Sequence, residues 1–265
     1  MSAEGGSGGV LFQPARDRVF LLYHEVQQVR SEYSYAVDST SFGEHLRMLA
    51  RVKRDMPSAY FPEITFDDGH RSNYELALPM LEEHGLKATF FITAGWTEQK
   101  AGYMTWREVY ALHQAGHLIG AHGWTHRLLT HCRATELDEE LRRSRLSLED
   151  RLGVAVTTMS LPGGRSNSGV LRACEEYGYT QVFTSEPKAE RDAHSTTLGR
   201  LNLHGSRTTE WVERVMDPKS GLLRALRLQY RIKAAAQAVA GDALYGKVWA
   251  LLNREQAEPS EAGGR

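Results

Sequence analysis

The sequence predicts an α/β fold, an irregular (β/α)7 barrel with a C-terminal helical extension. Short runs of aliphatic, β-branched and aromatic residues alternate with helical patterns, which is typical of a parallel sheet. Seven such runs favour a closed or nearly closed barrel. The length of 265 residues is also usual for one α/β barrel. An open doubly wound sheet is the alternative.

The predicted elements follow one another at short intervals. The strands are residues 19–23 (VFLLY), 63–66 (EITF), 88–93 (ATFFIT), 118–121 (LIGA), 158–161 (TMSL), 180–184 (TQVFT) and 198–203 (LGRLNL). The helices are residues 41–54, 73–84, 105–114, 135–152 and 168–177. A glycine follows most of these helices, and glycine accepts the left-handed conformation that ends a helix.

Composition and charge narrow the functional class. A net charge of −1 gives no general attraction to nucleic acid. The first residues lack the basic and apolar regions of a secretory signal, and no apolar run approaches the ~20 residues of a membrane-spanning helix. We therefore expect a cytoplasmic protein without a transmembrane segment.

The chain divides into four predicted parts. Residues 1–15 form a disordered lead-in, residues 16–218 the barrel, residues 219–256 a helical extension and residues 257–265 a flexible tail. The extension is basic, with Arg224, Arg227 and Arg231 on one helical face. Such a helix can contact an anionic membrane peripherally, or it can pack over the barrel with a solvated basic face.

Titratable residues follow several predicted strands. His24 follows the first strand, Asp67 and Asp68 the second, His122 the fourth and His204 the seventh. In α/β barrels the reactive groups lie at the carboxyl ends of the strands. We therefore expect these side chains to gather at one rim of the barrel.

His122 and His126 have the spacing of metal ligands. Four residues apart, two imidazoles can lie on one side of a turn and bind one cation. Two histidines and one carboxylate form a common catalytic metal site that leaves a position for water. The alternative is a pair of partly exposed histidines in a loop.

Asp67 and Asp68 raise the question of why two carboxylates adjoin at the end of an apolar strand. Their mutual repulsion is costly unless a cation or hydrogen-bond donors compensate. The repulsion is relieved if one carboxylate binds a metal and the other acts as a base. The alternative is that Asp68 caps the following helix, although a cap needs a single acidic residue.

These segments resemble the polysaccharide deacetylases, the NodB-homology domains of carbohydrate esterase family 4. The segments TFDDG and HGWTH are similar to the first two motifs of that family. The segments LLYHEV, ALPMLEEHGLKATFFIT, AGHLIGAHGWTH and LPGGR are similar to its first strand, to the elements between the motifs and to a variant third motif. The resemblance runs in order over residues 19–185, which makes it far more specific than any one motif.

The resemblance implies a fold, a reaction and a set of residues. The fold is an irregular barrel of seven parallel strands, and the reaction removes N-acetyl groups from the amino sugars of a glycan or glycan precursor. Asp67 matches the catalytic base. Asp68, His122 and His126 match the ligands of a divalent metal, most simply Zn²⁺.

A mechanism follows from these roles. The cation binds a water and lowers its pKa toward about 7, and Asp67 takes a proton as the water attacks the acetamide carbonyl. The cation and a backbone N–H in the turn of Gly163 and Gly164 hold the oxyanion. A histidine, for which His204 is the candidate, protonates the departing amine. His24 and Trp124 are expected in the substrate pocket.

Some positions depart from the family pattern. Gly123 stands where the second motif has a hydroxyl residue. Ser160 and Leu161 stand where an arginine before the proline turn steadies the base, and Arg165 follows the turn instead. Arg165 reaches either the base or the substrate, or it makes a surface ion pair. The fourth motif is not evident near residues 182–188.

We therefore expect a metal-dependent deacetylase of N-acetylated glycans. One rival is an amidase that acts on a small non-sugar amide with the same barrel and metal site. The other rival is a catalytically inactive barrel that binds carbohydrate. The paired aspartates oppose the second rival, because a pure binder needs no base beside a ligand.

Overall fold

The structure is a computed structural model that describes residues 16–192 and 195–240, without the side chains of residues 237–240. The predicted lead-in over residues 1–15 and the predicted tail over residues 257–265 lie outside the described residues, as do residues 241–256 of the predicted extension. The division into four parts stays a prediction.

All seven predicted strands are present in the described part of the chain, with bounds that differ by at most two residues from the prediction. The strands are β1 (Arg18–Tyr23), β2 (Glu25–Gln27), β3 (Ala36–Asp38), β4 (Phe61–Phe66), β5 (Ala88–Ile92), β6 (Leu118–Ala121), β7 (Thr158–Ser160), β8 (Gln181–Phe183), β9 (Thr197–Leu198) and β10 (Arg200–Asn202). The strands β2 and β3 form a small separate parallel pair that the sequence pattern did not predict.

The large sheet is parallel throughout, in the order β10-β1-β4-β5-β6-β7-β8-β9. Gly199 alone separates β9 from β10, so one interrupted strand pairs with β8 at its start and with β1 at its end. This seventh strand closes the sheet into a barrel, and the prediction of an irregular seven-stranded barrel is confirmed.

Helices surround the barrel. They are α1 (Ser39–Asp55), α2 (Leu78–Glu83), α3 (Trp106–Gln114), α4 (Ala134–Asp138), α5 (Ser144–Leu152), α6 (Ser168–Glu176), α7 (Thr209–Met216) and α8 (Leu222–Ala240). A π-helical segment, Asn73–Ala77, leads into α2, and another, Glu139–Arg143, joins α4 to α5. The helices bury apolar faces against the sheet; α1, for example, buries Phe42, Leu46 and Leu49 completely.

The interior of the barrel changes from apolar to polar toward its carboxyl end. Phe20, Phe91 and Phe183 pack together, with ring centroids 5.1 and 5.0 Å from that of Phe183. The guanidinium of Arg200 lies 5.3 Å from the Phe91 ring. All strands of the sheet run in one direction, and β1 and β4 end level, since Tyr23 pairs with Phe66 in register. The residues that follow the strands therefore lie at the same end of the barrel.

The helix α8 packs on the barrel through part of its surface. Leu223 is buried, and Arg227 pairs with Glu186 at 2.7 Å. Leu228 and Ile232 are 61% and 60% exposed. None of the helices in the described ranges is both long and apolar enough to cross a bilayer. Peripheral membrane contact through this helix stays a prediction.

Candidate metal and active site

The three predicted ligands converge at the carboxyl rim. Asp68 follows β4, and His122 and His126 follow β6. The Nε2 atoms of both histidines lie 3.2 Å from Oδ1 of Asp68, and the three ligand atoms lie within 4.8 Å of one another. Two segments far apart in the sequence therefore present one carboxylate and two imidazoles to a common point.

The donor chemistry of this cluster fits a divalent cation. Nδ1 of His122 is 2.8 Å from the carbonyl oxygen of Ser160, which can only accept, so Nδ1 carries a proton and Nε2 is the ring atom that can bind a cation. Oδ1 of Asp68 is buried and accepts no well-formed hydrogen bond. A cation bound between these atoms would offset the repulsion between acceptors that face one another. Zn²⁺ takes nitrogen and carboxylate ligands of this kind.

The backbone at this cluster is unusual. Asp68 and His126 have φ of 72° and 64°, a left-handed conformation that few residues other than glycine adopt. Such conformations cluster at functional sites, where the surrounding structure holds them. The alternative role of Asp68 as a helix cap is wrong, because the following helical segment has Ser72 at its N-cap position.

Asp67 is held by a residue that the sequence analysis did not select. Nη1 of Arg200 donates to Oδ1 of Asp67 at 2.7 Å, and Nη2 donates to Oδ2 at 2.8 Å. Ser160 donates to the same Oδ2 at 2.9 Å. Arg200 is 1% exposed and Asp67 is 3% exposed, so this is a buried two-point ion pair.

The electrostatics of the rim favour ionised carboxylates and a positive charge between them. Burial alone raises the pKa of Asp67, but Arg200 and His122 outweigh burial and hold this pKa below its usual range. Burial also raises the pKa of Asp68, yet positive charge facing its carboxylate, from the imidazoles or from a cation bound between them, holds this pKa well below its usual value. Both aspartates are therefore ionised at neutral pH. The guanidinium of Arg200 compensates the charge of Asp67, and a cation at the proposed position would compensate the charge of Asp68.

The cluster lies in a cavity of about 470 Å³. His24, Gly163 and Gly164, which were predicted to contact the substrate, line this cavity together with Asp67 and the three candidate ligands. Tyr33, Tyr35, Trp96 and Tyr103 also line it, with Lys100 beside them. The cavity therefore combines the predicted polar residues with a set of aromatic rings.

Three predicted residues lie outside this lining. The Trp124 ring is covered by the guanidinium of Arg143, 3.9 Å from the ring centroid. His204 lies behind Tyr35, with ring centroids 5.1 Å apart. Arg165 is half-buried and does not line the cavity. The structure therefore does not bring these three side chains to the predicted ligands.

The site residues that were not predicted have only weak signals in the sequence. Arg200 is a charged residue within the predicted seventh strand LGRLNL, which was the available clue to a buried charge. Tyr33 and Tyr35 come from the segment between β2 and β3, which has no strong pattern. Trp96 follows the third predicted strand, but its sequence neighbours do not mark it as a cavity residue. Whether these side chains face the cavity depends on contacts across the barrel, which the spacing of residues along the sequence does not reveal.

A parallel barrel with this rim has the architecture of a hydrolytic deacetylase. The profile of the polysaccharide deacetylase family matches residues 59–182. YxkH of Bacillus subtilis (strain 168), named as a polysaccharide deacetylase, is 29% identical in an alignment of 201 residues that covers 69% of this chain and 70% of YxkH. Peptidoglycan-N-acetylglucosamine deacetylase PgdA of Listeria monocytogenes is 34% identical over 116 residues, 43% of this chain and 23% of PgdA.

Solved structures agree with this assignment at the level of the fold. The deacetylase PplD of Streptococcus pyogenes, in complex with acetate, is similar with a TM-score of 0.68 at 21% identity, covering 76% of this chain and 99% of PplD. The family match covers residues 59–182, and over that segment the chain is similar to the polysaccharide deacetylases.

Proposed function

We propose that the protein is a metal-dependent hydrolase that removes N-acetyl groups from the amino sugars of a glycan or glycan precursor. The main observation behind this proposal is that the two adjacent aspartates have different partners and therefore different roles. Asp68 faces His122 and His126 at 3.2 Å, whereas Asp67 is held by Arg200 beside them. A site that only binds carbohydrate has no use for an ionised carboxylate fixed beside a cluster of ligands.

Asp68, His122 and His126 would hold the divalent cation, most simply Zn²⁺. When bound, the cation supplies Lewis acidity and makes water a better nucleophile at neutral pH. Asp67 accepts a proton from the attacking water, as a general base. The guanidinium of Arg200 keeps Asp67 ionised and fixes its plane, because both carboxylate oxygens receive a hydrogen bond from it.

The turn after β7 supplies the proposed hydrogen bond to the oxyanion. Pro162 has no N–H, and Gly164 donates its N–H to the carbonyl of Leu161 at 2.7 Å. Gly163 lies on the cavity lining, and its N–H is the donor that we assign to the carbonyl oxygen of the substrate. Gly163 has φ of 66°, a conformation that favours glycine at this point.

The leaving amine needs a proton donor, for which His24 and His204 are candidates. His24 lines the cavity, whereas His204 stacks on the far side of Tyr35. Burial lowers the pKa of His24, and Asp68 and Asp67 partly offset this effect. Position favours His24 over His204 for direct proton transfer. Replacement of each histidine by asparagine separates the two roles, since the proton donor should show the larger loss of kcat.

The aromatic residues of the cavity favour a sugar over a small amide. Trp96 contacts His126 with ring centroids 5.0 Å apart and Tyr103 at 4.7 Å. Indole and phenol rings give flat apolar surfaces on which pyranose rings stack. Nζ of Lys100 lies over one face of Trp96, 3.7 Å from the ring centroid, so a sugar would use the other face or one of the tyrosine rings. The ring of Trp96 therefore lies beside the candidate ligands, where a sugar that carries the acetamide would have to sit.

The proposed reaction is tested by acetate release. The purified protein, stripped with a chelator and then supplied with Zn²⁺, is given N-acetylglucosamine oligomers and a set of simple amides. We expect acetate from the oligomers after Zn²⁺ addition and little from the amides. Faster hydrolysis of the simple amides would favour the amidase. Oligomer binding without acetate release under any metal would favour the inactive barrel.

A further inference from the structure

The loop that carries both candidate histidine ligands is fastened to a buried glutamate. We call residues 122–126 the ligand loop. Glu140, in the π-helical segment Glu139–Arg143, is 3% exposed. Its carboxylate accepts hydrogen bonds from the N–H of Trp124 at 2.8 Å, from the N–H of Thr125 at 2.9 Å and from the Thr125 hydroxyl. One side chain therefore satisfies three donors of a five-residue loop.

Gly123 leaves the space that this carboxylate occupies. A Cβ built at Gly123 would lie 2.8 Å from Oε2 of Glu140, which is closer than such contacts occur. Gly123 also has φ of 76°, which strains any residue with a side chain. The carboxylate of Glu140 therefore fits against the ligand loop because residue 123 has no side chain.

The opposite side of the ligand loop is fixed by the end of β5. The N–H of Ala94 donates to the carbonyl of Gly123 at 3.2 Å, and the N–H of Gly95 donates to the carbonyl of Trp124 at 2.9 Å. The ligand loop thus has its carbonyls bound by the barrel and its N–H groups bound by Glu140. His126 closes the loop at φ of 64°, a strained conformation that persists when the surroundings enforce it.

We propose that Glu140 is a positioning residue that sets the separation of the His122 and His126 imidazoles and thereby the affinity for the divalent cation. This inference rests on the proposed cation site. Glu140 is not among the residues that line the cavity, and its hydrogen bonds reach the backbone of residues 124 and 125 and the Thr125 hydroxyl, so it acts on the ligands through that part of the loop. Groups that orient metal ligands in this indirect way change affinity by about 10–100-fold.

The test measures Zn²⁺ affinity by competition with a chromogenic chelator, on folded protein at low temperature. Glu140→Ala should bind Zn²⁺ about 10–100-fold more weakly than the wild type. Glu140→Gln, which keeps one accepting oxygen and the shape of the side chain, should lie between the two. Asp150→Asn, an exposed residue of α5 with the same loss of charge, should match the wild type. Excess Zn²⁺ should restore acetate release to Glu140→Gln.

The outcomes separate this inference from the proposed function. Wild-type affinity in both Glu140 variants overturns the positioning role while leaving the cation site intact. Failure of the wild type to bind Zn²⁺ overturns the proposed function as well. If Glu140→Ala does not fold, Glu140→Gln decides, because it preserves the packing; an unchanged affinity there contradicts the proposal.

Gly123 provides a second, independent test. Gly123→Ala places a methyl group against the Glu140 carboxylate and should weaken Zn²⁺ binding. In the double variant with Glu140→Ala, the clash is removed, so the combined loss should be smaller than the product of the two fold-changes. Full additivity would contradict the linkage between the two positions.

Discussion

At the residue scale, the arrangement around Asp67 explains how two adjacent carboxylates are accommodated. Arg200 and Ser160 hold Asp67, and the two imidazoles face Asp68. Buried like charges of this kind are tolerated when each has its own compensating partner. The two side chains leave the strand end in different directions, because Asp68 adopts the left-handed conformation and Asp67 continues the strand alternation.

Replacement of Asp67 tests its role as the base. Asp67→Asn keeps the size of the side chain but cannot accept the proton, so kcat should fall by about 10²–10⁴. Bound Zn²⁺ per chain should stay at the wild-type value, because Asp67 is outside the ligand set. Steady-state acetate release and metal analysis on the same samples check both parts, and unchanged turnover would remove Asp67 from this role.

Replacement of Arg200 tests what keeps Asp67 ionised. Arg200 lowers the pKa of Asp67, so a weaker partner should raise that pKa. A base works when deprotonated, so activity falls as the pH drops through its pKa. The acid limb of kcat/KM in Arg200→Lys should therefore lie at higher pH than in the wild type.

Arg165→Lys is the matched variant, because Arg165 was the arginine first considered as the partner of the base. The pH dependence of kcat/KM should keep the wild-type acid limb in this variant. A shifted limb in Arg165→Lys together with an unshifted limb in Arg200→Lys would reverse the assignment.

The sequence could locate the candidate ligands, but it could not locate their supports. Asp68, His122 and His126 sit in short motifs with recognisable spacing, and the structure brings them together. Arg200 lies 133 residues from Asp67, and Glu140 lies 15 residues from Thr125. These contacts form when the barrel closes and when the helical segment that carries Glu140 packs against the ligand loop. Neither event produces a periodic pattern in the sequence.

At the element scale, the seven strands of the barrel were predicted, whereas the separate pair of β2 and β3 was not. The runs that became β1, β4 and β5 were evident because β-branched and aromatic residues continue over several positions. The strands β2 (EVQ) and β3 (AVD) are short and end in polar residues, so they form no apolar run. The helix predicted over residues 135–152 contains a π-helical segment, which places Glu140 toward the ligand loop.

The break in the seventh strand depends on Gly199. A Cβ at this position would lie 2.2 Å from the carbonyl oxygen of Glu186 and close to the Lys188 side chain. Gly199→Ala must displace backbone where β9 passes into β10, and overpacking of this kind costs about 1–3 kcal/mol. Urea denaturation should show that loss. Gly153→Ala is the comparison variant. Its φ of 71° strains an alanine, but nothing lies within 4 Å of the added Cβ, so this variant lacks the steric contact of Gly199→Ala. A wild-type free energy of unfolding in Gly199→Ala would contradict the tight contact.

His117, at the start of β6, should make stability depend on pH. Burial and the charge of Lys87 lower the pKa of His117 to about 4, and its Nδ1 accepts the N–H of Ala88 at 3.1 Å. The unfolded chain takes up this proton near pH 6.5, so the stabilising contribution is full above that pH and is lost toward pH 4.

The measurement is the free energy of unfolding in urea at pH 7 and pH 5. His117 should account for a decrease of about 1–2 kcal/mol between these values. His117→Asn, whose oxygen can accept the same hydrogen bond, should reduce the decrease, whereas His113→Asn on α3 should not. An identical pH dependence in wild type and His117→Asn would contradict the account of this histidine.

At the scale of the whole molecule, barrel closure converts separate motifs into one site. The strands are parallel, so the residues after β1, β4, β6 and β7 meet at one rim. The ring of helices supplies the second layer of support, with Glu140 behind the ligand loop. The overall architecture could be predicted because alternation of strand and helix is a property of the whole sequence. Which side chains face the cavity could not, since Tyr35 and Arg143 cover His204 and Trp124 only in three dimensions.

The central claim is that Asp68, His122 and His126 bind the cation on which acetate release depends. The most direct measurement is Zn²⁺ bound per chain, with acetate release on the same samples, for chelator-treated and Zn²⁺-reloaded wild type and His126→Ala. We expect the wild type to lose activity on chelation and to regain it with one Zn²⁺ per chain, and His126→Ala to retain neither. Full acetate release from the metal-free protein, or full metal retention and activity in His126→Ala, would contradict the account.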